Sequence, residues 1–183
     1  SLGARAVKVT GNLKFDAVLS AGSEELAAQF RRWFGDRSAL LAASTREGEE
    51  ELLLDALEKN ALGKAILVIV PRHPQRFDAV ARLLSARGLK FMRRSANARL
   101  EPDCDIVLGD SMGEMVAYYR AVDVALVGGS LLAYGGQNLI EACAAGVPVL
   151  VGPYTYNFAQ AAESAIAAGA ALRVNDAGET IRL

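Results

Sequence analysis

Glu141 is the only residue from Val124 to Ala162 that carries a formal charge. It stands in GGQNLIEACAAGVPVLVGP (135–153), an apolar and glycine-rich stretch of a chain that is otherwise amply charged. A carboxylate in such surroundings is costly unless it is paired or hydrogen-bonded, and no basic side chain lies near it in sequence. Two neighbouring hydroxyls of a ribose would satisfy both of its oxygens. Asn138, three residues earlier, projects on the same face of a helix at this spacing. Gly135-Gly136-Gln137-Asn138 lies where a strand-like run has ended and a helical pattern begins. Two glycines there let the backbone approach a ligand, and the first-turn N–H groups with the helix dipole favour an anion. Phosphate at the helix tip with ribose one turn along is the geometry of a bound nucleotide. The competing reading is an ordinary glycine-rich turn capped by Asn138, with Glu141 turned to solvent or serving the helix dipole.

Two further loops carry side chains suited to the same ligand. The run LVIV (67–70) ends in Pro71-Arg72-His73-Pro74, which places Arg72 just past a strand, where a guanidinium can grip phosphate or carboxylate through two N–H groups. Surface charge is the alternative for Arg72. His73 is the single histidine, cannot build a metal site alone, and reads as a structural loop residue. In VLGDSMGE (107–114) the stretch Ser111, Met112, Gly113 and Glu114 follows a strand and starts a helix. Met112 there would pack against a base while the loop backbone hydrogen-bonds the base edge; a plain capped turn would look similar.

The elements that must position these residues follow from the spacing of apolar side chains. Short β-type runs are predicted over 4–10, 39–44, 65–70, 90–92, 105–108, 122–127, 147–151 and 170–174. Amphipathic helices are predicted over 23–34, 48–60, 75–86, 112–120, 137–145 and 157–168. This alternation predicts an α/β fold, a Rossmann-like, doubly wound parallel sheet in one domain over 1–183. The run AILVIV is apolar at every position, as a strand covered on both faces requires. In such a sheet ligands lie at the carboxyl ends of the strands, so the loops at Arg72, Met112, Ser130 and Gly136 are expected along one edge.

With 183 residues, 52% hydrophobic, and a formal net charge of −1, the chain is long enough to bury a core and offers no basic face for nucleic acid. Arg31-Arg32 and Arg93-Arg94 read as solvated surface. Cys104 and Cys143 are far apart, which indicates neither a zinc site nor a disulfide scaffold, and no cluster of His, Cys or acidic residues suggests a metal. No apolar run approaches the length that spans a bilayer. No signal peptide is read at the start of the chain.

Six blocks, in order, resemble the second half of bacterial 3-deoxy-D-manno-octulosonic acid (Kdo) transferases: GNLKFD (11–16), AASTREGEEE (42–51), PRHPQRF (71–77), LGDSMGEM (108–115), VGGSLLAYGGQN (127–138) and GPYTYNF (152–158). These are two-domain, inverting glycosyltransferases of the GT-B type. The resemblance implies that the chain is the donor domain, holding CMP-Kdo or CMP and needing no cofactor. Arg72 and residues Gly135, Gly136, Gln137 and Asn138 would serve the phosphate, and Glu141 the ribose. Ser111, Met112, Gly113 and Glu114 would serve the base, and Gly129 and Ser130 the sugar or phosphate. It also implies an acceptor, a lipid A precursor, in lipopolysaccharide biosynthesis at the cytoplasmic face of the inner membrane.

In the family the catalytic base, the acceptor surface and the membrane contact belong to an N-terminal domain. That domain is expected to be absent from this chain, which would then be inactive in isolation. The family commonly has His where this chain has Arg46, Gln137 and Tyr154, so no imidazole role carries over at those positions. The alternatives are a GT-B donor domain for another nucleotide sugar, and a non-catalytic nucleotide-binding module.

Overall fold

The computed structural model describes residues 22–60, 63–97, 100–101 and 103–183; the strand expected over 4–10 and the GNLKFD block lie outside the described residues. The strands are β1 (Ala39–Thr45), β2 (Ile66–Pro71), β3 (Phe91–Arg93), β4 (Ile106–Leu108), β5 (Val124–Val127), β6 (Val149–Val151) and β7 (Ala171–Arg173). The helices are α1 (Ser23–Phe34), α2 (Glu49–Lys59), α3 (Phe77–Ala86), α4 (Met115–Ala121), α5 (Ile140–Ala145), α6 (Ala159–Ala167) and α7 (Ala177–Arg182). The strands form one seven-stranded sheet in the order β3-β4-β2-β1-β5-β6-β7, and every pairing is parallel.

Helices cover both faces of the sheet, which is why its central strands are apolar at consecutive positions. Along β1, Ala39, Leu41 and Ala43 enter one core, while Leu40 and Ala42 enter the other; Ile66, Val68 and Val70 of β2 alternate with Leu67 and Ile69 in the same way. The first core also takes Phe30 and Phe34 of α1 with Tyr118 and Tyr119 of α4, and Phe30 stacks on Tyr118 with ring centroids 4.4 Å apart. The second takes Leu53 and Leu54 of α2, Leu84 of α3 and Ile181 of α7. Burying each such leucine or isoleucine contributes about 1.5–3 kcal/mol relative to leaving it exposed.

The chain builds outward from β1 through β2 to β4 and β3, then returns to lay β5 on the other side of β1. This reversal opens a crevice at the carboxyl ends of β1 and β5, the usual ligand position in an open α/β sheet. Five helices, α2 to α6, start one to three residues later than the apolar period suggests. Helix α4 begins at Met115 rather than 112, and α3 follows a 3-10 turn over Pro74–Arg76.

Helix α5 begins at Ile140, not 137. Gly135 and Gly136 are left-handed, with φ of 88° and 80°, and cannot continue into a right-handed first turn. Helix α7 was not expected from its apolar period. Its start is nevertheless spelled by Asp176 and Glu179: Asp176 accepts the Glu179 N–H at 2.7 Å, and Glu179 accepts the Asn175 N–H at 2.7 Å. Among the described residues no helix is long and apolar enough to cross a membrane.

Candidate functional site

A cleft of about 460 Å³ opens at the carboxyl edge of the sheet, across the ends of β4, β2, β1 and β5. It gathers Arg72 from the loop after β2, Ser111, Met112, Gly113 and Glu114 from the loop after β4, Gln137 and Asn138 from the loop after β5, and Glu141 from α5. These residues span seventy positions of sequence, and the parallel order alone brings them to one edge. Ser44, Tyr119 and Phe158 also line the cleft. None of the three was marked by residue type or spacing, because a serine in a strand and an aromatic in an amphipathic helix look like ordinary framework. Ser44 does carry a structural mark: its φ is 57°, and the β1–β2 register slips there, between Ala43 and Thr45.

The cleft holds one cation and one anion without an ion-pair partner. Among the described residues no carboxylate pairs with Arg72, whose backbone N–H donates to the Thr45 carbonyl at 3.0 Å. Glu141 is half-buried, and its Oε1 accepts a single hydrogen bond, from Asn138 Nδ2 at 3.3 Å. Asn138 Oδ1 in turn accepts the Ile140 N–H at 3.0 Å, which fixes the amide and leads the chain into α5. Tyr119 is buried beside them. Burial and the Glu141 carboxylate together push its phenol well above the usual range, against a smaller pull from Arg72, so it stays a neutral donor.

The loop expected to face a base is anchored from below by the arginines that sequence reading had left on the surface. Arg93 Nε donates to Asp110 at 2.6 Å, and Asp110 also accepts the Ser95 N–H at 2.7 Å and its hydroxyl at 2.6 Å. Arg94 grips Glu114 through two bonds of 3.0 and 2.9 Å, and the Ser111 hydroxyl donates to the same carboxylate. Thus Ser111 and Glu114 are occupied with one another and with Arg94, while Met112 stands 62% exposed at the rim and Gly113 lends its backbone. Reading Arg93-Arg94 as solvated surface misses that their partners arrive from a loop seventeen to twenty residues away.

The glycine loop is built differently from the anion-binding helix tip expected of it. The Gly136 N–H donates to the Gly129 carbonyl at 2.7 Å and the Gln137 N–H to the Gly128 carbonyl at 3.0 Å, so these two groups are spent within the loop. A side chain at Gly135 would begin 2.4 Å from Asn157 Nδ2 and from Tyr156 Cε2, so glycine is required there for the loop after β6 to close against it. Ser130 is fully buried; its hydroxyl donates to the Val127 carbonyl and accepts the Gly152 N–H at 2.8 Å. Gly129, Ser130, Gly135 and Gly136 are not among the residues that line the cleft, and the Ser130 hydroxyl, expected at the sugar or phosphate, is engaged in these two bonds.

What holds this glycine turn is Glu49, the first of two buried carboxylates at the start of α2. Glu49 is 1% exposed and accepts N–H bonds from Arg46 at 2.8 Å, Gly129 at 2.6 Å and Leu131 at 3.0 Å. Burial pushes its pKa up, and the three backbone bonds pull it part of the way back. Glu50, fully buried, accepts the Thr45 hydroxyl at 2.6 Å and two bonds from Arg76 at 2.6 and 3.0 Å. The blocks 42–51, 71–77 and 127–138 are thereby tied into one frame. Of the positions where the family resemblance leads one to expect His, Gln137 lines the cleft, Arg46 lies with its guanidinium over the Tyr134 ring at 4.8 Å, and Tyr154 is 41% exposed.

No family model matches the chain. It is 50% identical over 183 residues to a 3-deoxy-D-manno-octulosonic acid transferase of Bordetella pertussis, an alignment covering 96% of this chain and 42% of that protein. It is 36% identical over 181 residues to the transferase of Haemophilus influenzae, with the same shares of each chain. The chain thus spans about 42% of the length of these curated relatives. Among solved structures, the crystal structure of the C-terminal CMP-Kdo binding domain of WaaA from Acinetobacter baumannii superposes with a TM-score of 0.81 at 33% identity, covering 88% of this chain and 86% of that one. Shared fold and sequence over most of both chains lead to one assignment: the chain belongs to the Kdo transferase family and corresponds to the C-terminal domain of its members.

Proposed function

We propose that this chain is the donor-binding domain of an inverting GT-B Kdo transferase, holding CMP-Kdo while Kdo passes to a lipid A precursor in lipopolysaccharide biosynthesis. The observation that supports this reading above all others is that Arg72 and Glu141, neither of them ion-paired among the described residues, line one cleft rimmed by an anchored loop. In this reading Arg72 holds the phosphate and Glu141, steadied by Asn138, accepts from the ribose hydroxyls. Met112 packs on the cytosine, while the backbone of 111–113 meets its polar edge.

Transfer proceeds as an acceptor hydroxyl, deprotonated by a carboxylate base, attacks the anomeric carbon while CMP departs. This domain's contribution is to stabilise the charge gathering on the leaving phosphate. The resemblance to the family assigns base, acceptor surface and membrane contact to a separate N-terminal domain, at the cytoplasmic face of the inner membrane.

Calorimetry with CMP, UMP, UDP and ADP tests the donor assignment. CMP is expected to bind tightest, with an affinity unchanged by a chelator, since the phosphate partner is an arginine. Tighter binding of UDP or ADP would assign the cleft to a different nucleotide sugar, and binding of none would remove the nucleotide reading altogether.

A further inference from the structure

CMP-Kdo poses an electrostatic demand that CMP does not. Kdo is a 2-keto sugar acid, so in the activated sugar a single anomeric carbon carries both a carboxylate and the phosphate ester. Two anions so close together, removed from water with only one cation between them, leave a charge uncompensated. Arg72 is one cation, and the structure offers a second beside it. Strands β1 and β2 pair Thr45 with Pro71, so Arg46 and Arg72 leave neighbouring parallel strands at adjacent positions.

Arg46 is half-buried, and among the described residues its guanidinium has no carboxylate partner. Its guanidinium carbon lies over the Tyr134 ring, 4.8 Å from the centroid, and Tyr134 is itself held by a hydrogen bond from its hydroxyl to the Glu47 carbonyl at 3.0 Å. A cation–π contact uses the charge and no N–H hydrogen bond to an acceptor, so the guanidinium keeps its N–H groups for an oxyanion. Gln137 converges on the same place: a side chain at Gly129 would begin 3.1 Å from Gln137 Nε2 and 3.5 Å from Arg46 Cγ. Gln137 lines the cleft, and Arg46 lies next to Gln137, just outside the residues that line it.

We infer that Arg46, with Gln137 beside it, reads the carboxylate of the donor sugar, leaving Arg72 to the phosphate. This inference rests on the donor reading above. It makes Arg46 a specificity residue for sugar acids over neutral sugars. The test is calorimetry of the purified chain and its Arg46→Met, Arg46→Lys, Gln137→Leu and Arg72→Met variants against CMP and against CMP-Kdo, with a thermal melt of each.

Arg46→Met is expected to weaken CMP-Kdo at least tenfold more than it weakens CMP. Arg46→Lys should recover part of that gap by restoring the charge, and Gln137→Leu should open a smaller gap of the same sign. Arg72→Met should weaken both ligands alike. If Arg46→Met does not fold, the Lys and Leu variants still decide. Equal losses on CMP and CMP-Kdo, or no loss on either, would overturn the carboxylate assignment while leaving the donor reading intact. A wild-type chain that binds neither ligand would overturn both.

Discussion

Among the described residues Glu141 meets one donor, the Asn138 amide, whose bond of 3.3 Å goes to Oε1. If the ligand is the ribose of CMP, Glu141→Ala removes charge-assisted hydrogen bonds worth about 1.5–3 kcal/mol, a loss of about 10-fold to 150-fold in affinity. The fold should be little harmed, because no backbone group depends on this side chain in the way that three depend on Glu49. The control is 2′-deoxy-CMP. It should bind the wild type more weakly than CMP yet lose less on mutation; equal losses would mean that Glu141 does not read the 2′-hydroxyl. Arg72, Asn138 and Glu141 were legible in the sequence because each is chemically out of place where it stands, a lone charge or amide at the end of an apolar run. Glu49 and Glu50 were not. EGEEE reads as the polar first turn of a surface helix, and what makes these carboxylates exceptional is that their partners come from Gly129, Leu131 and Arg76, far along the chain.

At the level of elements, the loops matter more than the helices that follow them. Glu49 joins the loop after β1 to the glycine turn after β5 by accepting backbone N–H groups from both, beside the Tyr134 contacts with Arg46 and Glu47, so Glu49→Gln is expected to disturb both. The amide would keep one acceptor oxygen but turn an NH₂ group toward at least one buried N–H donor, at a cost of about 1–3 kcal/mol for each group left unsatisfied. Urea denaturation would read this as a lower midpoint with an unchanged slope; a midpoint equal to wild type would show that the clamp contributes nothing. The strands were legible because burial on both faces writes itself as an unbroken apolar run, as in AILVIV. The start of α5 was not, since a glycine pair before an apolar period looks the same whether it opens a helix or forms a separate loop. Only the carbonyls of Gly128 and Gly129, which take the N–H groups of Gln137 and Gly136, decide between them.

For the molecule as a whole, the cleft straddles the central strand of the sheet, so a bound nucleotide touches loops that the entire fold must hold in register. Binding should then appear as global stabilisation. At CMP concentrations 100 times its dissociation constant the folded state gains about 2.7 kcal/mol, which for a domain of this size raises Tm by about 5–11 °C. UDP and ADP at the same concentration should raise it less; an equal rise for all would point to a site that feels phosphate alone. The Glu49 clamp has a kinetic side as well. It closes contacts with Gly129 and Leu131 across 80 and 82 residues of chain, so the back wall of the cleft cannot form until β5 has docked against β1. The wall is therefore a late product of folding and an early casualty of nothing short of complete unfolding. In native-state hydrogen exchange the amides of Gly129 and Leu131, though they sit in a turn, should exchange as slowly as those of the central strands. Their faster release would mean that the turn opens by itself.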